Sequence, residues 1–247
     1  MSDSLDPKDR LIAAALMHVP FDGWSETSFR AAAADAGLTQ AEARALCPRG
    51  AVDLALAFHA QGDGAMRARL AQADLGALRY SDRVAFAIRT RLEQVEHDKE
   101  AVRRGVTLFA LPIHAADGAK ALWQTADAIW TALGDTSQDL NWYTKRVTLS
   151  GVYSATVLYW LGDQSMDHAA TWAFLDRRID DVMQIERAKK AMRDNKFLAP
   201  LMAGPNWLAA RIKAPGLAPD DLPGRWRGPV SGADQTPASP TSAGSQP

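Results

Sequence analysis

Residues 171–183 read TWAFLDRRIDDVM, and their apolar side chains recur at three- and four-residue spacing. Trp172, Leu175, Ile179 and Val182 follow one another at the period of a single α-helical face. The positions between them are mostly aspartate and arginine, which suits a face in contact with water. This pattern predicts an amphipathic helix whose apolar seam packs against another helix, either in the same chain or across a dimer.

The same helical period runs through most of the 247 residues, and the alternating pattern of strands is nearly absent. We therefore predict an all-α, helical bundle of about nine helices, followed by a C-terminal amphipathic helix. Turn and capping residues set the expected bounds. The predicted helices cover about residues 7–19, 25–36, 39–47, 50 onward with a possible break at 62–64, 81 onward, 98–111, 115–133, 139–161 and 165–190.

Composition divides the chain into four segments. Residues 1–47 form a helix-turn-helix-like region of three short helices, and residues 48–194 form the main helical domain. Residues 195–213 are a separate apolar and basic helix candidate. Residues 214–247 are rich in proline, glycine and serine and lack the apolar content that folding requires.

The familiar signatures of catalysis and metal binding are missing from the sequence. None of the 5 histidines has an acidic residue three positions earlier or a second histidine three or four positions away. Phosphate-binding glycine loops and the Gly-x-Ser-x-Gly elbow are also missing. The absence of these motifs from the sequence favours a protein that is not an enzyme and that uses no cofactor or metal.

The first three helices have the layout of a DNA-binding helix-turn-helix, with a tight turn at residues 37–39. Residues 25–47, however, carry only Arg30 and Arg44 against Glu26, Asp35 and Glu42. A net negative charge releases few counterions from DNA, so we predict that the protein binds no nucleic acid. A ligand-responsive repressor of the TetR type remains the alternative.

The most distinctive stretch is GDTSQDLNWYTKR at residues 134–146. Trp142 and Tyr143 are about 100° apart on a helix, so both cannot point into one core. One of them should reach the surface beside Lys145 and Arg146, where an aromatic and basic patch is typical of an interaction site. One core aromatic beside a tyrosine whose hydroxyl reaches water is the structural alternative.

With AALMHVPFDGW (14–24), FALPIH (109–114) and the stretch 171–183, this segment resembles the coenzyme-Q-nine family of lipid-binding accessory proteins in ubiquinone biosynthesis. The resemblance covers about residues 11–213. It implies a TetR-like fold that does not bind DNA, a homodimer, and an apolar pocket for an isoprenoid lipid or ubiquinone intermediate. It also implies a partner, the demethoxyubiquinone hydroxylase, to which the lipid is presented.

Candidate site residues follow from the resemblance and from the apolar pattern. The candidate pocket walls, which plain core packing would also explain, are Leu108, Phe109, Trp123, Trp130, Val147 and Phe174. The candidate partner-binding residues are Asp139, Leu140, Asn141, Trp142, Tyr143, Lys145 and Arg146.

Residues 187–213 combine a net charge of +6 with large apolar side chains, which predicts docking on an anionic membrane. The alternative is packing on the protein's own domain. The candidate membrane-binding residues are Lys196, Phe197, Leu198, Leu201, Met202, Trp207, Leu208, Arg211, Ile212 and Lys213.

The first ten residues, MSDSLDPKDR, are acidic and polar, unlike the mitochondrial presequences of eukaryotic family members. This difference favours a bacterial type of protein. We therefore expect a cytoplasmic protein that lies peripherally on the inner face of the cytoplasmic membrane.

Overall fold

A computed structural model describes residues 6–138 and 140–194 of the chain. Within these residues it contains nine α-helices, two 3-10 turns and no strand, which confirms the predicted all-α class. The helices are α1 (Pro7–Asp22), α2 (Glu26–Asp35), α3 (Gln40–Leu46), α4 (Ala51–Gln72), α5 (Tyr80–Glu93), α6 (Lys99–Phe109), α7 (Ala115–Ala132), α8 (Leu140–Gly162) and α9 (Ala169–Asp194).

The three N-terminal helices begin where the sequence supplies capping side chains. Ser25 and Ser28 form a capping box at the start of α2, and Thr39 and Glu42 form one at the start of α3. Between them, Gly37 adopts φ 68°, the left-handed conformation that ends a helix at little cost for glycine. This turn fixes the helix-turn-helix arrangement of α2 and α3 that the sequence predicts.

Helix α4 packs against four other helices, α1, α2, α5 and α7. Its inward face carries Leu54, Phe58, Met66 and Leu70, all buried. The helix runs without interruption through Gly62, although the sequence indicated a possible break there. Contacts from α5, described below, hold this part of α4 in place.

The apolar seam of α9 packs inside the chain. Leu175 and Ile179 are buried, and α9 contacts both α8 and α5. Helix α8 has one face in the core, where Leu149, Tyr153 and Trp160 are buried, and another face toward solvent, where Val147 is 61% exposed.

Candidate functional site

A cavity of about 390 Å³ lies between α4, α5, α6, α7 and α8. Its volume falls in the range of small-molecule sites, about 300–1,000 Å³. Most of its wall is aliphatic or aromatic. The lining residues are Trp24, Ala55, Phe58, His59, Arg91, Leu92, Val95, Ala101, Val102, Gly105, Val106, Phe109, Ala110, Ala115, Gly118, Ala119, Ala121, Leu122, Tyr153, Ser154, Val157 and Leu158.

Polar side chains are concentrated where α4, α5 and α7 meet. Arg91 Nε donates to Asp63 Oδ1 at 2.7 Å, and its Nη2 donates to the His59 carbonyl at 2.9 Å. The Thr125 hydroxyl lies 3.0 Å from both carboxylate oxygens of Asp63 and 2.8 Å from His59 Nε2. We call His59, Asp63, Arg91 and Thr125 the polar cluster. His59 and Arg91 bring it to the wall of an otherwise apolar cavity.

Gly62 makes the close approach of Arg91 possible. A β-carbon at this position would lie 2.5 Å from both Cζ and Nη1 of Arg91, closer than atoms can pack. Gly62 also lies four residues from Phe58 and four from Met66, so it belongs to the inward stripe of α4. The glycine therefore provides room for a buried guanidinium in the core.

Burial sets the protonation of the two titratable groups that line the cavity beside this cation. Burial, with the nearby Arg91 cation, lowers the pKa of His59 to about 4, so its imidazole is neutral at pH 7. Burial also raises the pKa of the Tyr153 phenol, which keeps that group protonated. The charges at this end of the cavity are therefore those of Asp63 and Arg91, which are paired.

The cavity reaches the surface at the corner between α6 and α7. Ala110, Ala115 and Ala119 line it and are exposed in the described part of the chain. Beside them, Leu111 and Ile113 are 47% and 79% exposed. The corner therefore surrounds an opening with apolar side chains.

A second cavity of about 250 Å³ lies between α5, α7, α8 and α9. Tyr80 and Trp130 stack beside it with ring centroids 5.7 Å apart, and Lys145 lines its edge. Its wall is more polar than that of the first cavity, with Ser81, Thr144 and Thr148 among the lining residues.

The candidate pocket walls do not converge on one site. Phe109 lines the first cavity and Trp130 lines the second, while Leu108 packs against the core outside both linings. Trp123 contacts Trp142, Phe174 stacks on Tyr159, and Val147 points to solvent. The spacing identified apolar positions, but their direction around each helix depends on tertiary packing.

The segment 134–146 contains a buried ion network. Asp135 pairs with Lys145 at 2.7 Å and with Arg146 at 3.3 Å, and Arg146 also pairs with Asp127 at 2.6 Å. The Asp135 and Arg146 side chains are each 3% exposed. Hydrogen bonds with Lys145 and Ser137 lower the pKa of Asp135 although burial opposes them. The two basic residues of this segment therefore pair with carboxylates of their own chain.

Next to this network the aromatic side chains form a half-buried cluster. Trp142 and Tyr143 meet edge to face at 4.8 Å, and Trp123 lies 5.6 and 6.2 Å from them. Leu140 and Asn141 are exposed beside them, while Asp139 is outside the described residues. We call Trp123, Trp142 and Tyr143 the aromatic cluster. Trp142 and Tyr143 belong to the predicted partner site and keep part of their surface exposed, whereas Trp123 was predicted as a pocket wall.

The predicted membrane-binding residues, 196–213, also lie outside the described residues. In the part of the chain that the structure covers, no helix combines the length and apolar character needed to cross a membrane. Among the same residues, no group of three or more histidine, cysteine or acidic side chains could hold a metal ion.

In the helix-turn-helix region, both basic side chains of residues 25–47 are engaged. Arg30 and Arg44 each pair with Glu26, with Arg30 at 3.0 Å. Hydrogen bonding to Arg44 lowers the pKa of Glu26, so the carboxylate stays charged at neutral pH. The positive charges of Arg30 and Arg44 are therefore partly neutralised by one carboxylate of the same region.

The polar cluster was not identified from the sequence. Residues 62–64 looked like a helix break, and His59 and Asp63 lack any catalytic or metal-binding spacing. One signal was available, because Gly62 and Asp63 continue the inward stripe of α4 at a position where an apolar residue is expected. The sequence around Arg91 contains no such signal, because the role of Arg91 depends on how α5 packs against α4.

These features define the class of protein: an all-helical, TetR-like fold with an internal cavity. A solved structure of a TetR transcriptional regulator from Nitrosomonas europaea aligns with a TM-score of 0.59 and 20% identity, over 71% of this chain and 97% of that chain. Residues 115–186 match the family model COQ9, so this part of the chain carries a COQ9 domain.

Named relatives are similar over a longer part of the chain. The chain is 31% identical to the mitochondrial ubiquinone biosynthesis protein COQ9 of Rattus norvegicus, over 74% of this chain and 61% of that protein. It is 33% identical to the protein of that name from Drosophila melanogaster, over 72% and 55% respectively. It is 30% identical to the Homo sapiens protein of that name, over 74% of this chain and 60% of that protein. The chain thus spans about 60% of the length of these relatives.

The predicted cytoplasmic location, on the inner face of the cytoplasmic membrane, is wrong by this comparison. The relatives are mitochondrial proteins by name. The prediction depended on the polar character of the first ten residues. A short stretch of this kind carries little information about location, because the relatives are longer than the region that matches.

Proposed function

We propose that this protein is a non-catalytic accessory factor of ubiquinone biosynthesis that binds an isoprenoid quinone intermediate in the first cavity. The match to the COQ9 family model supports the pathway, since the similar named proteins are ubiquinone biosynthesis proteins. The observation that carries the lipid-binding role is the cavity itself, with apolar walls, a polar inner end and an opening between α6 and α7.

The shape of the cavity suits transfer of an amphipathic lipid. An isoprenoid chain gains free energy by leaving water for the aliphatic wall, at about 25 cal/mol per Å² of apolar surface. Leu111 and Ile113 at the opening can contact a membrane or an apolar partner surface while the lipid passes. This arrangement delivers a lipid without exposing its chain to water.

The partner in this proposal is the demethoxyubiquinone hydroxylase, which would receive the lipid intermediate. The aromatic cluster supports a docking role because tryptophan and tyrosine anchor interfaces with little loss of rotamer freedom. The solvent face of α8 supports a homodimer. Val147 is exposed on it, and Gly151, one turn later, has open space within 4 Å of its β-position.

Contact with an anionic membrane is the remaining part of the proposal. It depends on the sequence of residues 195–213, whose basic and apolar side chains would act together. Liposome flotation of the full chain and of a chain ending at residue 194 tests it. We expect the full chain to float with anionic vesicles and the shorter chain to bind much less. Equal binding would contradict membrane docking through this segment.

Lipid analysis of the purified protein tests the central proposal. We expect mass spectrometry of the native protein to detect a bound isoprenoid lipid, and we expect Val106→Trp to lose it. Val106 lines the cavity, so an indole there occupies the space of the ligand. The matched control is Thr107→Trp, on the same helix but exposed and outside the cavity lining. Equal lipid content in both variants would contradict the assignment of the site.

The second candidate function, a TetR-type repressor, rests on the helix-turn-helix geometry and on the similarity of fold. Anisotropy titrations against genomic fragments at low salt separate the two candidates. We expect no saturable binding, because Arg30 and Arg44 are both paired with Glu26. Sequence-dependent binding in the nanomolar range would favour the repressor.

A further inference from the structure

The polar cluster has no net charge. Asp63 and Arg91 form an ion pair whose side chains are 9% and 3% exposed, and the His59 imidazole beside them is neutral. A carboxylate or phosphate placed here would meet an Arg91 cation that Asp63 already neutralises, so it would add an uncompensated negative charge to a buried site, which is unfavourable. An uncharged polar group avoids this cost.

The hydrogen bonds of the cluster also determine which atom remains available to a ligand. The Thr125 hydroxyl has one proton and two kinds of nearby acceptor, the Asp63 carboxylate oxygens at 3.0 Å and the Ala121 carbonyl at 3.2 Å, and the charged carboxylate is the stronger of the two. Thr125 Oγ1 therefore accepts from His59 Nε2, 2.8 Å away, so the neutral imidazole carries its proton on Nε2. Nδ1 is then a hydrogen-bond acceptor on a side chain that lines the cavity.

We infer that the inner end of the cavity selects the uncharged, hydroxyl-bearing head of an apolar ligand, with His59 as acceptor, and rejects carboxylate or phosphate heads. The inference rests on the proposed function, because it takes the cavity to be a lipid site, and it adds the class of head group. The aliphatic wall contacts the chain of the ligand, whereas the inner end selects the head group by its charge and by a hydrogen bond to His59, with the Tyr153 hydroxyl also on this wall. Isoprenoid alcohols and hydroquinones meet these requirements, and fatty acids and prenyl phosphates do not.

Three probes with one isoprenoid chain test the inference on the full-length protein: farnesol, its methyl ether and farnesoic acid at pH 8. Binding is measured by tryptophan fluorescence quenching and by the shift in Tm. We expect farnesol to bind best, and farnesoic acid to bind about tenfold or more weakly, because its ionised head is desolvated without a partner. The ether lacks the donor and should fall between them.

A charge substitution makes the test specific to the cluster. In Asp63→Asn the Arg91 cation has no counterion, so we expect farnesoic acid to raise the Tm of this variant more than farnesol does. The matched control is Asp127→Asn, which removes a carboxylate from Arg146 at the outer end of α7. Arg146 keeps its pair with Asp135 in that variant, and the preference for farnesol should stay as in the parent.

A second variant covers the case in which Asp63→Asn does not fold. His59→Leu removes the acceptor, so farnesol and its ether should bind equally, while His18→Leu in α1 should keep the parental difference. Parental protein that binds farnesoic acid as tightly as farnesol, or a His59→Leu variant that still prefers the alcohol, would overturn the inference. If none of the three probes binds the parent, the proposed lipid site itself is wrong.

Discussion

The guanidinium carbon of Arg146 lies 3.9 Å from the centroid of the Trp142 ring, one turn earlier on α8. The same guanidinium pairs with Asp127 and Asp135 and is almost fully buried. Arg146 thus stabilises the start of α8 from inside, while the aromatic side chains beside it are half-buried and keep part of their surface exposed. Within residues 134–146, the buried ion pairs therefore have a structural role, and Trp142 and Tyr143 are the candidates for docking a partner.

Replacing Arg146 by alanine should destabilise the protein by about 3–5 kcal/mol, because the buried Asp135 would keep only Lys145 as a partner. Arg178→Ala provides the control, since the pair of Arg178 with Asp181 is exposed and worth about 0–1 kcal/mol. Urea unfolding followed by circular dichroism gives both values. Similar losses in the two variants would show that the Arg146 network contributes no more than a surface ion pair.

Gly62 and Gly64 differ in what surrounds them, although they are two residues apart on α4. Gly62→Ala should be destabilising because the added methyl group displaces the Arg91 guanidinium from Asp63. Gly64→Ala meets no atom within 4 Å and should stabilise the helix by up to about 1 kcal/mol. Thermal melts of the two variants should therefore move in opposite directions. A gain in Tm for Gly62→Ala would mean that Arg91 can move without loss.

The stability of the fold should depend on the protonation of His59. Its pKa of about 4 in the folded state is below the unfolded value of 6.5, so protonation favours the unfolded chain. The stabilising contribution is complete above about pH 6.5, falls as the pH drops toward 4, and amounts to roughly 2–4 kcal/mol. Gln at position 59 cannot titrate but can still donate to Thr125.

The measurement is the free energy of unfolding of the parent and of His59→Gln between pH 7.5 and pH 4. Carboxylates titrate in both proteins, so the difference between the two curves isolates the histidine. We expect the parent to lose stability faster than the variant between pH 6.5 and pH 4. Parallel curves would contradict a buried, neutral His59.

The all-α class could be predicted from the sequence, because the three- and four-residue spacing of apolar side chains is visible within each short stretch of chain. Thr39 and Glu42 predict the start of α3, and the capping box is present. Pro20 suggested an earlier end for α1, yet the helix continues to Asp22 because a proline in the last turn costs only one hydrogen bond, and Gly23 N–H still bonds to the Val19 carbonyl at 2.9 Å. Local chemistry thus fixes most helix ends to within a turn.

The candidate site was less readable, because it depends on contacts between residues far apart in sequence. Asp63 and Arg91 are 28 residues apart, and neither has a motif that predicts the other. Phe109 and Val147 look alike as apolar helical positions, but one lines the cavity and the other faces solvent. Rotation of each helix about its axis, which the sequence pattern leaves partly open, decides between these outcomes.

The aromatic cluster yields the last prediction, which concerns docking of the hydroxylase. Tyr143→Ala should weaken co-purification of the enzyme by about 2 kcal/mol or more while the Tm stays near that of the parent, because the side chain is only half-buried. Trp142→Ala should weaken the complex as well, but it should also lower the Tm, since Arg146 loses the ring on which it stacks. Phe21→Ala is the control, an exposed aromatic at the end of α1, and should change neither quantity. If Tyr143→Ala retains the hydroxylase at parental levels, or melts far below the parent, the cluster is part of the protein's packing and the partner docks elsewhere.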